Sequence, residues 1–331
     1  MALIDLPVEE LTRYRPERDE PEDFDRFWED TLARASAAPV DAVFSPHPTR
    51  LRLIDVYDVS FTGWGGQRIA AWLLLPANAT GPLSCVVEYV GYNAGRGFPH
   101  EWLLWATAGY AHFVMDNRGQ GAGWRTGDTA DNAEGSGPAH PGFMTRGILD
   151  PNDYYYRRLY VDAVRAVDAA RSAPGVDASR VIVAGSSQGG GLALVAAGLV
   201  PDVTAVLADV PFLCHFTRGT MITDELPFRE IAAYCRAHRD KVAQVFRTLS
   251  YFDCVNFAAR AYAPSLFSVG LMDQITPPST VYAAHNHYAG SKEIHVYRYN
   301  DHEGGGPHHQ EVQLAFVEGV LEATAPLGGR L

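Results

Sequence analysis

Three side chains in this sequence have the types and the order needed for acyl transfer: a serine at 187, an aspartate at 273 and a histidine at 302. Ser187 lies within Gly185-Ser186-Ser187-Gln188-Gly189, after an apolar run at 181–184 and before a stretch at 190–200 that reads as a buried helix. A serine between glycines on a strand-to-helix turn is a nucleophile elbow. The turn is so tight that Gly185 and Gly189 leave no room for a Cβ, and the serine Oγ is held clear of the backbone with a helix N-terminus beneath it. A serine hydroxyl is a weak nucleophile until a neutral imidazole takes its proton. His302 fits that role, standing just past the apolar segment 294–299 on a glycine-rich loop. Asp273, immediately past the apolar segment 266–269, fits the acid that fixes the imidazole tautomer. Asp209 is the alternative acid, but Val210-Pro211 beside it leads into a helical, aromatic-rich segment, which favours a structural role.

The developing negative charge needs two backbone N–H donors. Gln188, after the nucleophile, supplies one. Tyr92 supplies the other, in the loop Gly91-Tyr92-Asn93-Ala94-Gly95-Arg96-Gly97. That loop lacks the Gly-Lys-Ser/Thr ending of a phosphate loop. In the run Gly119-Gln120-Gly121-Ala122-Gly123-Trp124, the tryptophan stands where a dinucleotide site needs its third glycine. No nucleotide cofactor is expected. His285 and His287 point to different helix faces, and His302, His308 and His309 lack a metal-ligand spacing, so no metal is expected.

The elements that must position these residues read as strands at 51–59, 68–75, 85–90, 112–115, 181–184, 205–209, 266–269 and 294–299. Helical patterns fall at 153–171, 188–199, 278–288 and 307–321. Two early strands joined by a glycine turn, followed by strands alternating with helices, predict an α/β chain: a mostly parallel eight-stranded sheet with helices on both faces, as in the α/β-hydrolase fold. The expectation is one domain over 1–331, with an N-terminal helical extension over about 1–40 and a helical cap or insertion over about 212–260. In the extension, Phe24, Phe27, Trp28, Thr31 and Leu32 recur at helical spacing and read as core.

A net charge of −12 without a Lys/Arg cluster argues against a nucleic-acid partner, and no apolar stretch is long enough to cross a bilayer. Cys85, Cys214, Cys235 and Cys254 show no metal or redox spacing, and the first twenty residues lack the basic start and apolar core of a secretory signal. A cytoplasmic location with reduced thiols is expected.

Taken together, Arg118-Gly119-Gln120, Gly185-Ser186-Ser187-Gln188-Gly189 and His302-Glu303 resemble the three signature segments of the acetyl xylan esterase and cephalosporin-C deacetylase group, the seventh carbohydrate esterase family. The likeness extends over nearly the whole chain, through FDRFWEDTLARA, FMTRGILDPNDYYYRRLYVDAVRAVD, DVPFLCHF and GLMDQITPPSTVYAAHN. The resemblance implies nucleophile Ser187, acid Asp273 and base His302, with oxyanion donors Tyr92 and Gln188. It gives Arg118, Gly119, Gln120, Gly185, Gly189 and Glu303 structural roles. It also implies release of acetate from small acetylated substrates, xylose oligomers and cephalosporin C, and a homohexamer. Bulk near the elbow, at Tyr92, Pro211 and Phe212, is expected to line a pocket for a short acyl group. Residues 274–276 and 219–227 are where leaving-group preference is expected to vary. A short-chain acyltransferase would use the same residues, and a non-catalytic binding protein would show a damaged triad.

Overall fold

The computed structural model describes residues 3–131, 137 and 139–324, so the two ends of the expected 1–331 domain lie outside the described residues. Among the described residues, nine strands form one sheet: β1 (Val43–Pro46), β2 (Ile54–Thr62), β3 (Arg68–Pro76), β4 (Leu83–Tyr89), β5 (Ala111–Met115), β6 (Val176–Ser186), β7 (Ala205–Asp209), β8 (Ser265–Gly270) and β9 (Lys292–Tyr297). The spatial order is β1-β2-β3-β5-β4-β6-β7-β8-β9. Strands β1, β2, β3 and β5 pair antiparallel in succession. From β5 across to β9 every pairing is parallel. The central strands are largely apolar because helices cover both of their faces.

This is the α/β-hydrolase arrangement, with one correction: the sheet has nine strands, not eight. The extra strand, β1, is four residues long and mostly exposed, and it pairs only with β2, from Val43 opposite Ser60 to Pro46 opposite Tyr57. A four-residue edge strand with only Phe44 partly buried carries no apolar alternation, so periodicity misses it. Strand β6 likewise starts at Val176, ahead of its apolar run: Val176 pairs with Leu83, and after a register shift the ladder resumes with Val181 opposite Cys85.

The helices are α1 (Val8–Leu11), α2 (Phe24–Ser36), α3 (Leu104–Thr107), α4 (Tyr155–Arg171), α5 (Gln188–Leu199), α6 (Phe216–Ile222), α7 (Phe228–Ala237), α8 (Val242–Ser250), α9 (Cys254–Ala258), α10 (Pro278–His287) and α11 (Gly306–Thr324). Helix α5 is apolar around its whole circumference because β4, β6, β7, α4 and α9 enclose it. On α2, Phe24, Trp28 and Thr31 are buried, with the Trp28 indole stacked on Tyr160 of α4 at 5.7 Å and its N–H donated to the Tyr251 carbonyl at 2.9 Å. Buried residues of the segment carrying α6–α9, including Phe212, Phe228, Leu249 and Phe257, belong to the same core as Val183 and Val206 of the sheet. None of the helices among the described residues is long and apolar enough to cross a membrane.

The N-terminal residues form a strap over this later part of the chain. Asp5 accepts the Ser279 N–H at 2.7 Å and pairs with Arg218 at 3.0 Å. The Asn286 amide donates to the carbonyls of Leu11 and Tyr14, and Arg260 pairs with Glu20 and Asp25.

Asp253 joins α9 to α6: Oδ1 accepts the N–H groups of Val255 and His215, and Oδ2 accepts that of Phe216, all at 2.9–3.0 Å. Burial pushes this carboxyl up from 3.8 to about 6 despite the three donors. Its folded-state value lies above its unfolded one. The stabilisation linked to its proton is therefore complete below pH 4 and lost as pH rises towards 6. In urea unfolding at pH 4 and pH 7, Asp253→Asn should gain on the wild type by up to about 3 kcal/mol at the higher pH. An unchanged difference between the two proteins would refute this.

Candidate active site

The carboxyl ends of β4, β6, β7, β8 and β9 bring the expected residues to one edge of the sheet. Ser187 joins β6 directly to α5, at φ 57° and ψ −120°. A non-glycine residue here stores roughly 1–3 kcal/mol of backbone strain, which persists only when its surroundings fix it. They do so through close approach. A Cβ on Gly185 would lie 2.4 Å from the Gly189 carbonyl carbon, and one on Gly189 would lie 2.0 Å from the Tyr89 oxygen. The Ser187 N–H donates to the Asp209 carbonyl at 2.9 Å, and the Ser187 carbonyl accepts Phe212 N–H at 2.9 Å and Gly191 N–H at 3.0 Å. The Gln188 N–H opens helix α5, where the first-turn donors have no intrahelical partner and favour negative charge.

Asp273, fully buried three residues past β8, holds His302 through a 2.9 Å contact between Oδ2 and Nδ1. With a carboxylate at Nδ1, the imidazole keeps its proton there and presents Nε2 as a base. The carboxylate is itself fixed: Oδ1 accepts the N–H groups of Ile275 and Thr276 at 2.8 and 2.9 Å, and Oδ2 accepts the Thr276 hydroxyl at 2.7 Å. Thr276 is a buried residue that fixes the Asp273 carboxylate. Its sequence signal is local, an aspartate followed by amides and a hydroxyl two and three residues on, as in a helix cap.

The loop bearing His302 lies on the ends of β7 and β8. A Cβ on Gly304 would meet Val210 Cγ1 at 2.7 Å and Ser268 Oγ at 2.8 Å. Glu303 braces this loop by accepting from Asn300 Nδ2 at 2.6 Å and Asp301 N–H at 3.1 Å, and those bonds, the Asn300 one foremost, hold its carboxyl below the ordinary range. Ser187 Oγ and His302 share no hydrogen bond among the described residues, a contact that in ligand-free sites often closes only with substrate. Asp209 turns away towards α11, where Oδ2 accepts from Gln313 Nε2 at 2.8 Å and Oδ1 lies 3.1 Å from His309 Nε2.

The Tyr92 N–H has no hydrogen-bond partner among the described residues, while the Tyr92 carbonyl accepts the Trp124 indole N–H at 3.2 Å. Gln120 spans the gap to the elbow. Its Oε1 accepts the Asn93 N–H at 2.6 Å and its Nε2 donates to Gln188 Oε1 at 3.0 Å. Arg118 lies behind it, forked onto Asp162, both of them fully buried. Burial opposes the Arg118 charge, but the Asp162 carboxylate prevails and holds the guanidinium above its ordinary value. Gly119 between them adopts φ 68°.

Pro211 and Phe212 do not line an open pocket. Both are buried. Phe212 has no exposed surface and packs edge-to-face on Phe228 at 4.8 Å, because its N–H is drawn to the Ser187 carbonyl and its ring turns into the core. Among the described residues no three His, Cys, Asp or Glu side chains gather to hold a metal ion.

Comparison with known proteins matches residues 1–320 to the acetyl xylan esterase (AXE1) family model. The acetyl esterase Axe7A of Xylanibacter ruminicola is 29% identical over 297 residues, which are 87% of this chain and 65% of that protein. Thus the chain spans somewhat less than two thirds of that relative's length. The acetyl xylan esterase from Paenibacillus sp. R4 superposes with a TM-score of 0.87 at 42% identity, covering 95% of this chain and 99% of that one. Acetyl xylan esterase 1 from Thermoanaerobacterium sp. JW/SL YS485 gives 0.86 at 31% identity, covering 96% and 99%.

Substitutions at two positions test this geometry. Gly189→Ala forces a Cβ against the Tyr89 backbone and should cost about 3 kcal/mol or more in thermal unfolding; a melting temperature equal to wild type would show that the elbow can open. Thr276→Val removes one donor from the Asp273 carboxylate and should lower kcat for ester hydrolysis by about tenfold with Thr276→Ser close to wild type. Equal rates in all three proteins would mean that Asp273 needs no such support.

Proposed function

Because this chain belongs to the acetyl xylan esterase family, we propose that it is a serine carboxylic ester hydrolase that removes acetyl groups from acetylated carbohydrates. The observation that carries the reading is the Asp273–His302 pair, 2.9 Å apart at the strand ends beside a serine held in an elbow. In this mechanism Ser187 Oγ attacks the acetyl carbonyl carbon while His302 Nε2 takes its proton. The carbonyl oxygen becomes an oxyanion facing the N–H groups of Tyr92 and Gln188. Collapse of the tetrahedral species breaks the ester bond, and His302 gives its proton to the departing sugar hydroxyl. Water then attacks the acetyl-serine with His302 again as base, and acetate leaves.

The finer reading takes xylo-oligosaccharide acetates and the acetoxy group of cephalosporin C as substrates and a homohexamer as the working form, supported by the family resemblance. A cytoplasmic location is supported by four cysteines that are all free, three of them buried.

Hydrolysis of p-nitrophenyl esters from acetyl to octanoyl tests the proposal. Rates should fall sharply beyond acetyl or propionyl, and Ser187→Ala should lose on the order of 10⁵-fold in kcat. Equal rates along the series, or a variant that keeps turning over, would overturn it.

A further inference from the structure

Tyr92 is held from three directions, and one anchor comes from a distant part of the chain. Its carbonyl accepts the Trp124 indole N–H, and the next amide, Asn93 N–H, is taken by Gln120. The third anchor is the Tyr92 side chain. Its hydroxyl donates to Glu230 Oε1 on α7 at 2.6 Å and accepts the N–H groups of Gly142 and Phe143 at 3.2 and 3.1 Å. Glu230 Oε2 accepts Met144 N–H at 3.1 Å, so both carboxyl oxygens are committed to this cluster. Burial raises the Glu230 carboxyl and the Tyr92 phenol above their ordinary values. The ring of Tyr92 meets Phe143 edge-on at 5.7 Å and Phe212 at 6.5 Å, and the Phe212 N–H in turn holds the Ser187 carbonyl. The phenol anchor and the elbow therefore share one neighbour.

The bond between Tyr92 and Glu230 closes a gap of 138 residues between the loop after β4 and the helical segment inserted after β7. Nothing in the hydrolytic steps calls for a carboxyl group there. A surface ion pair or a solvating contact would be mobile; this one is short, partly buried and saturated on both sides. An oxyanion donor works only when its N–H is aimed before the charge forms, since reorientation during the step would consume the stabilisation it offers.

We propose that Glu230 is a positioning residue for the oxyanion hole: by anchoring the Tyr92 phenol it aims the Tyr92 N–H at the oxygen that becomes negative during acetyl transfer. The inference rests on the reading of Ser187 as nucleophile and Tyr92 as donor. It gives the helical segment a part in catalysis, as supplier of an anchor rather than as a cover.

The test measures kcat and KM for p-nitrophenyl acetate, with melting temperature, in Glu230→Ala, Glu230→Gln, Tyr92→Phe, the Glu230→Ala/Tyr92→Phe double variant and Ser187→Ala. Glu230→Ala and Tyr92→Phe should each lower kcat by about 10- to 100-fold with KM within about twofold, as for an interaction made in the transition state alone. The double variant should be no slower than either single one, because both break the same anchor. Glu230→Gln, which keeps an acceptor for the phenol, should stay within about fivefold of wild type. Should Glu230→Ala fail to fold, Tyr92→Phe carries the test, since it removes the hydroxyl alone. Full kcat in Tyr92→Phe, a kcat loss matched by a rise in KM, or losses that multiply in the double variant would each overturn the proposal. Full turnover in Ser187→Ala would overturn the functional reading and this inference with it. Loss in Ser187→Ala beside full kcat in Glu230→Ala would sink the inference alone.

Discussion

The contact between helix α5 and the end of strand β4 governs the rest of the structure. Gly189 comes so close to the Tyr89 carbonyl that no side chain fits between them. Helix α5 can therefore start immediately after β6, and the residue at the junction must take a conformation that serine otherwise avoids. That conformation is maintained from both sides, by the Asp209 carbonyl on the Ser187 N–H and the Phe212 N–H on the Ser187 carbonyl. The sheet order contributes as well. Strand β4 lies between β5 and β6, so the loop after it opens beside the elbow, at the point where ligands commonly bind in such sheets.

Beneath this edge is a layer of buried polar side chains bonded to one another and to the backbone around them. Gln120 links the loop after β4 to Gln188, Tyr155 donates to the Arg118 carbonyl at 2.6 Å, and Arg118 forks onto Asp162. Asp162 also accepts the Trp64 N–H at 2.8 Å, tying the layer to the turn between β2 and β3. Removing one partner of a buried pair such as Arg118–Asp162 typically costs about 3–5 kcal/mol, because it strands a charge away from water. The layer is rigid for the same reason that it is vulnerable.

The features legible in the sequence are those whose cause lies within a few residues. Gly185 and Gly189 are demanded by contacts inside their own pentapeptide and with the adjacent strand. Asp273 and His302 stand out because each follows an apolar strand at once, and the order of the three residues along the chain limits the choices. What escaped has a distant cause. Strand β1 buries only part of Phe44 and is defined by its pairing with β2. Glu230 is an ordinary glutamate on an amphipathic helix until the loop holding Tyr92 folds against it. Phe212 was expected at a pocket wall because it is bulky and follows β7, yet the direction of its ring is set by where its N–H must go. Thr276 is intermediate: the local pattern was present, but its partner Asp273 gave it meaning only once His302 was in place.

The strap formed by the first residues has a consequence for how the chain comes into being. Asp5 bonds to Ser279, Leu11 and Tyr14 to Asn286, and Glu20 to Arg260. As the polypeptide leaves the ribosome, this segment must wait until residues 260–286 have been made before these partners exist. A segment made early is thus among the last to settle, and its Asp5 then ties α10 to α6 through Ser279 and Arg218.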